Sequence, residues 1–511
     1  MNNKLFSLAA LAGTILATPA QAQDKAAKPV SPFILCDGRT GHVGLMETLG
    51  RLVAITVTAG LSEAATASDD DARKLKGVEA AGACDTALGT EHDNGRRVQL
   101  AYAKAVHLIE ADRLDDALVA ARAVDAAGGP LAEDWGYRRS SAPRILLLQA
   151  DILARMKKPG EAQAVAVQAA QLSPYDVNVA QLANQYINLT PDMDEAKNAA
   201  LAQMSRLLPR LTWSHISAEI TAGRLNDALA DLEALRDLGT GFSPENFHPD
   251  AIEATRAALL VLAGNGAQSD EIAARVQTSL SQLATSGYAA QNGTFVAEAS
   301  EALSLRQILR DATTGKAKDA RTVFRAHGPW LLVNKALLIA AVGKLREGAT
   351  SDELTGTLAE APAAMLARDQ AEHIAALSDA KRIKALYAQI FFTANAEAFA
   401  KAGNATWKVG DKPRFLVKRK ADDTTPGEIM STEPSVTGLP AGEALCLQSA
   451  LIAKARGAQG YVLSPVRKYV TIALLRWGNG GDAGVPSRLM LDADKVIADL
   501  SPHIPQPVPA R

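Results

Sequence analysis

The sequence predicts a mainly α chain: a solenoid of helix hairpins through its middle, then a small α+β domain. Three observations carry this. Hydrophobic residues make up 48% of the 511 residues but aromatics only 5%. The apolar share therefore rests largely on Ala and Leu, which suit close-packed helices better than sheets. A helix-start pattern recurs with alanines at Ala117, Ala162, Ala196 and Ala228, spaced 45, 34 and 32 residues apart. Strand-like runs gather in the stretch after Gly403. The length exceeds one compact core. Lys+Arg 54 against Asp+Glu 56 excludes a chain built mainly to hold nucleic acid, and a 22% charged share excludes wholesale disorder.

In chain order, residues 1–22 read as an export signal. Lys4 supplies the positive start, Leu5 to Ala17 is an apolar run of 13 residues, and Pro19 breaks it. Ala20-Gln21-Ala22 is a small-x-small cleavage site, so cleavage is expected after Ala22. Gln23 follows, not a lipid-accepting Cys. No later stretch reaches the roughly 18–20 apolar residues of a membrane span. The expectation is a periplasmic or secreted protein. In the N-terminal segment 23–94, Cys36 and Cys84 stand 48 positions apart. A disulfide there would contribute about 4 kcal/mol by loop entropy; two buried thiols are the alternative. Cys446, in an apolar helical pattern, reads as an inert core residue.

Residues 95–245 carry the repeats. The second-helix pattern appears at Arg113 to Leu118, Pro159 to Ala162, Met193 to Ala196 and Gly223 to Leu229. The clearest unit runs from Pro143 to Pro174, with Ala150 and Leu153 in its first helix and Ala162, Ala166 and Ala169 in its second. Small residues there let paired helices approach closely, and Pro174 closes the unit. These residues resemble a degenerate tetratricopeptide repeat. Lys157 and Asp112 stand at turn positions where that family often has Gly. The resemblance implies a solenoid that binds an extended peptide or protein segment through first-helix side chains. Candidates are Gln99, Lys104, Gln149, Asn178, Gln181 and Asn184. A weaker echo lies at Gly315 to Ala320, and residues 246–403 read as further helical hairpins.

Residues 404–500 read as the α+β domain. A strand with a basic end runs over Arg414 to Lys420, and residues 421–439 are loop-like. A helix follows over Gly442 to Arg456, then strands at 461–463 and 469–475, and a short strand or helix lead-in at 488–491. Lys408, Lys412, Arg414, Lys418, Arg419 and Lys420 form a basic patch, read as a strand edge guarded by charge or as a contact for an acidic partner. Residues 476–482 look like a Gly-rich hairpin loop, and 501–511 are a Pro-rich tail.

The chemistry search returns little. P-loop, nucleophile-elbow, zinc-protease and C-x-x-C patterns are absent, and no two histidines lie within four residues of each other. A site assembled from distant segments stays open. Ser378-x-x-Lys381 is read as a helix N-cap. No catalytic residue, metal or cofactor is assigned. The leading expectation is an exported, non-enzymatic interaction or scaffold protein with a protein or peptide partner in the cell envelope. The rival is an envelope hydrolase or ligand-binding protein with a polar pocket near Arg467, Arg476 and Asp482. A third reading makes the helices a brace for an envelope assembly.

Overall fold

The computed structural model describes residues 30–39, 74–239, 248–285, 293–377, 382–383, 386, 418–419, 428–431, 439–465 and 472–503. The expected leader at 1–22, Lys408, Lys412, Arg414, Lys420, Arg467, Ser378, Lys381 and most of the Pro-rich tail lie outside these residues. The described part is mostly helical with a small antiparallel sheet. None of its helices is long and apolar enough to cross a membrane.

The N-terminus is a short helix, α1 (Pro32–Asp37), capped by the Ser31 side chain and stopped by left-handed Gly38 at φ 79°. Six residues cannot hold a helix alone, and three contacts pin this one down. Cys36 is disulfide-bonded to Cys84 of α2 (Gly77–Thr90). Arg96 of α3 (Asn94–Glu110) donates to Asp37 Oδ1 at 2.8 Å in a buried ion pair. His107 Nε2 lies 2.6 Å from the Cys36 carbonyl, which can only accept, so the proton sits on Nε2.

Helix pairs follow. α3 pairs with α4 (Leu114–Arg122). Two short helices, α5 (Val124–Ala127) and α6 (Trp135–Ser140), separate this pair from the next. α7 (Ala142–Arg155) pairs with α8 (Pro159–Leu172), the unit read most clearly from sequence. α9 (Val177–Ala183) and α10 (Glu195–Leu207) are joined by a longer link. α11 (Thr212–Thr221) pairs with α12 (Leu225–Leu238), α13 (Pro249–Leu262) with α14 (Gly266–Thr285), and α15 (Gly293–Thr313) with α16 (Ala317–Ala326).

Five of these pairs share one turn. A left-handed residue stands at Asp112, Lys157, Gly223, Gly264 and Gly315, with φ from 56° to 89°. The next residue's N–H returns to the carbonyl five positions back: Arg113 to Leu108, Lys158 to Leu153, Arg224 to Glu219, Asn265 to Leu260 and Lys316 to Asp311, at 2.8 to 3.0 Å. This is the Schellman closure, which satisfies carbonyls the helix end would orphan. Five residues after each left-handed position a small side chain is buried: Ala117, Ala162, Ala228, Ser269 and Ala320. The expectation fails at Ala196, which is exposed near the start of α10. Lys197 is buried instead, its ammonium donating to Gln163 Oε1 and to the carbonyls of Thr190 and Asp192. The longer α9–α10 link shifts that helix start, and Ala200 takes the inward place.

α17 (Lys335–Arg346) packs on α11, α13 and α15, and α18 (Pro362–Leu377) lies on α17 and on α7. The C-terminal unit comprises β1 (Lys418–Arg419), β2 (Glu428–Ser431), α19 (Leu439–Ala455), β3 (Gly460–Pro465), β4 (Ile472–Gly478), β5 (Leu491–Asp492) and α20 (Ala493–Leu500). The strand order is β1-β2-β4-β3-β5, all antiparallel; β2, β3 and β4 are its longer members. β2 corrects the expected loop over 421–439. Glu428 to Ser431 pair with Leu475 to Ile472, so the sheet recruits a segment with weak strand character of its own.

Both faces of the β3–β4 pair are buried. Tyr461, Leu463, Ala473 and Leu475 join one core with α19 and α3 to α10, while Val462 and Leu474 join a second with α11 to α13 and α15 to α17. Alternation along β3 and β4 thus ties two halves of the helical part together. Eight consecutive α19 residues, Glu443 to Ala450, are buried, as expected of a helix enclosed on all sides. The unit is built into the helices rather than appended to them.

Asp112 and Lys157 accept a left-handed backbone that costs a side-chain-bearing residue on the order of 1 kcal/mol. Lys157→Gly and Asp112→Gly should each raise the urea unfolding free energy by about 1 kcal/mol. Gly223→Ala should lower it by a similar amount.

Candidate functional site

Two clusters of functional side chains emerge. The first lies on α7 and the chain after α9. Asp151 is fully buried and accepts from Tyr186 Oη at 2.8 Å and Arg155 Nε at 2.6 Å. Arg382 donates to the Tyr186 hydroxyl at 2.9 Å and to the Gln185 side chain. Burial, with Asp151 beside it, holds the Tyr186 phenol well above its ordinary value. α18 closes over this face: Arg155 Nη2 donates to the Leu377 carbonyl at 2.8 Å, and His373 Nε2 lies 2.6 Å from the Gln185 carbonyl. Among the described residues, Asn184 Oδ1, Gln370 Nε2 and Arg382 Nε are buried without a hydrogen-bond partner.

The sequence-predicted residues fall on several elements. Gln149 is half-buried on α7, two residues before Asp151 and therefore on nearly the opposite side of the helix. Asn178 and Gln181 are half-buried on α9, and Asn184 is its C-cap. α7 and α9 touch, so these four come to neighbouring elements. Gln99 and Lys104 do not join them: Gln99 accepts from Arg96 at 3.1 Å and Lys104 pairs with Asp85 of α2 at 2.6 Å. Of the basic patch only Lys418 and Arg419 are described, in β1.

The second cluster is the seam between the helices and the C-terminal unit. Arg139 Nε donates to both Glu443 oxygens at 2.7 and 2.9 Å. Burial pushes Glu443 up to about 7 despite that guanidinium. Tyr175 Oη donates to Asp499 at 2.8 Å. Arg476 donates to the carbonyls of Leu238 at 2.9 Å and Gly484 at 3.2 Å. Asp482 accepts from the Asn479 N–H at 2.7 Å. Arg476 and Asp482, the residues on which the hydrolase reading leaned, thus hold backbone.

At the other end of the seam, Arg488 Nε donates to Asp231 Oδ1, and its Nη2 is 3.5 Å from Glu219 Oε1. His215 stands between: Nδ1 is 2.7 Å from Asp231 Oδ2, and Nε2 is 3.4 Å from Glu219 Oε1 and 3.1 Å from Asn198 Oδ1. Burial first, then Asp231, pushes Glu219 up to about 8. This group holds a single histidine and is no paired-histidine motif; its legible signal in the sequence is His215-x-x-x-Glu219 on one helix face. His215, Glu219 and Asp231 offer metal-ligand atoms within 4.8 Å of one another. They fit an ion poorly. A tetrahedral zinc site has donor edges of about 3.4 Å, the two ring nitrogens face different carboxylates, and Arg488 already supplies a cation. The group acts as a buried ion network.

No protein-family model, curated protein or solved structure matches this chain.

Glu443 binds its proton more tightly folded than unfolded. Its contribution is therefore greatest below the ordinary carboxylate range and declines as pH rises toward 7. Arg139→Ala leaves the buried carboxylate alone. We expect it to cost about 3–5 kcal/mol at pH 8 and distinctly less at pH 5, where Glu443 is neutral. Adding Glu443→Gln should flatten the difference, as read by urea unfolding at both pH values.

Proposed function

We propose that this chain is an exported, non-enzymatic interaction protein. Its helix hairpins form a tetratricopeptide-like solenoid that binds a protein segment or extended peptide on the α7–α9 face. The observation carrying this reading is how that face already holds a chain segment. Arg155 donates to a main-chain carbonyl of α18, and His373 of α18 reaches a main-chain carbonyl beside α9. A contact to the segment's main chain, as Arg155 makes, is largely indifferent to side-chain identity and suits a surface that receives extended or helical segments.

Three further features support it. The turn shared by five pairs makes stacked units with a common geometry. Asn184, Gln370 and Arg382 offer an acceptor and donors of the kind that read a peptide backbone. The Cys36–Cys84 disulfide suits an oxidising compartment, in keeping with the leader read from sequence.

Photocrosslinking tests it. A benzoylphenylalanine at Asn178 or Gln181 of α9, in the full chain in its native cell, should give a discrete adduct. The same group at Gln171, exposed on α8, should not. Adducts of equal yield at all three positions, or at none, would sink the proposal.

A further inference from the structure

We propose that α18 is a displaceable strap: it covers the α7–α9 face and must lift for a partner segment to reach Asp151, Asn184 and Tyr186. This rests on the partner-binding reading above.

The route of the chain is the first argument. α18 touches α17, its neighbour in sequence, and then α7, which lies 222 positions earlier at the Arg155–Leu377 contact. It thus bridges two distant parts of the helical stack, passing over Gln185 and Tyr186 beyond α9. Its thin attachment is the second. Of its 16 residues only Leu377 is buried, whereas α7 buries ten of 14. Met365 and Ile374 add only partly buried contacts to the two cores, so less apolar area holds α18 down than holds α7, and a segment so held opens locally.

The fastenings are the third argument. At the α17 end they are exposed ion pairs of Lys335 with Asp369 and Glu372. Such pairs contribute little in water. At the other end they are His373 to the Gln185 carbonyl, Arg155 to the Leu377 carbonyl, and Arg382 to Tyr186 and Gln185. Beyond Leu377, Ile383 and Leu386 enter the main core. The strap is therefore anchored at one end and lightly tied along its length. The ties at Tyr186, the Gln185 carbonyl and Arg155 occupy main-chain and side-chain groups beside those a bound segment would use, so strap and partner exclude each other.

The test uses the full chain and no partner. Hydrogen exchange of α18 amides should run faster than that of α7 and α17. Arg382→Ala, and separately His373→Ala at an exposed position, should speed α18 on the order of tenfold and leave α17 unchanged. Asn184→Cys supplies a thiol beside the ties, with N-ethylmaleimide as the probe. Its modification rate should rise by the same factor in each variant, while buried Cys446 stays unmodified. Three results would overturn the strap: α18 exchanging only together with α7 and α17, neither variant changing α18, or α18 speeding while the thiol at 184 does not. Failure of crosslinking at Asn178 and Gln181 would instead remove the partner reading and leave these measurements standing.

Discussion

The close approach of paired helices is the constraint on which this fold depends. Each shared turn needs a residue in the left-handed region to reverse the chain and a small side chain five residues on to let the next helix settle. Where both are present the pair closes by the same hydrogen bonds. Where they are absent, between α9 and α10, the link lengthens, and a buried lysine ammonium donating to two carbonyls and an amide replaces the small residue. That substitution carries a desolvation cost: burial lowers the Lys197 pKa to about 8.

The second organising element is the sheet. A sheet with one solvent face would need only one partner; this one has two. Its alternating side chains join cores that the helices alone leave separate. The polar contacts along the seam, Arg139–Glu443, Tyr175–Asp499 and Arg488–Asp231, fix where the sheet sits. Buried ion pairs contribute little net stability but penalise misplacement heavily. Here they specify a register between two layers that apolar packing alone would fix less sharply.

Much of this was legible in sequence, for identifiable reasons. The turn residues Asp112, Lys157 and Gly223 and the alanines five positions later are local signals, and local signals survive in a single chain. The disulfide was readable from two cysteines flanking one segment. Ala196 misled because the motif letters were present while the turn that gives them meaning was not. β2 was hidden because pairing to β4 makes it a strand, and pairing is non-local. The His215 network was legible only as His215-x-x-x-Glu219, because Asp231 and Arg488 reach it from another helix and another layer. The fate of Gln99 and Lys104 depended on α1 and α2, whose docking no repeat pattern encodes.

The seam also has a consequence in time. Arg139 meets Glu443 across 304 positions, and Tyr175 meets Asp499 across 324. A chain made from its N-terminus completes its helix pairs long before the residues that cover them exist. Until the last strands arrive, the surfaces that will flank the sheet stand open as apolar walls around unneutralised charges. Folding therefore cannot finish piece by piece in the order of synthesis. The early pairs must wait, half-assembled and adhesive, for the tail of their own chain.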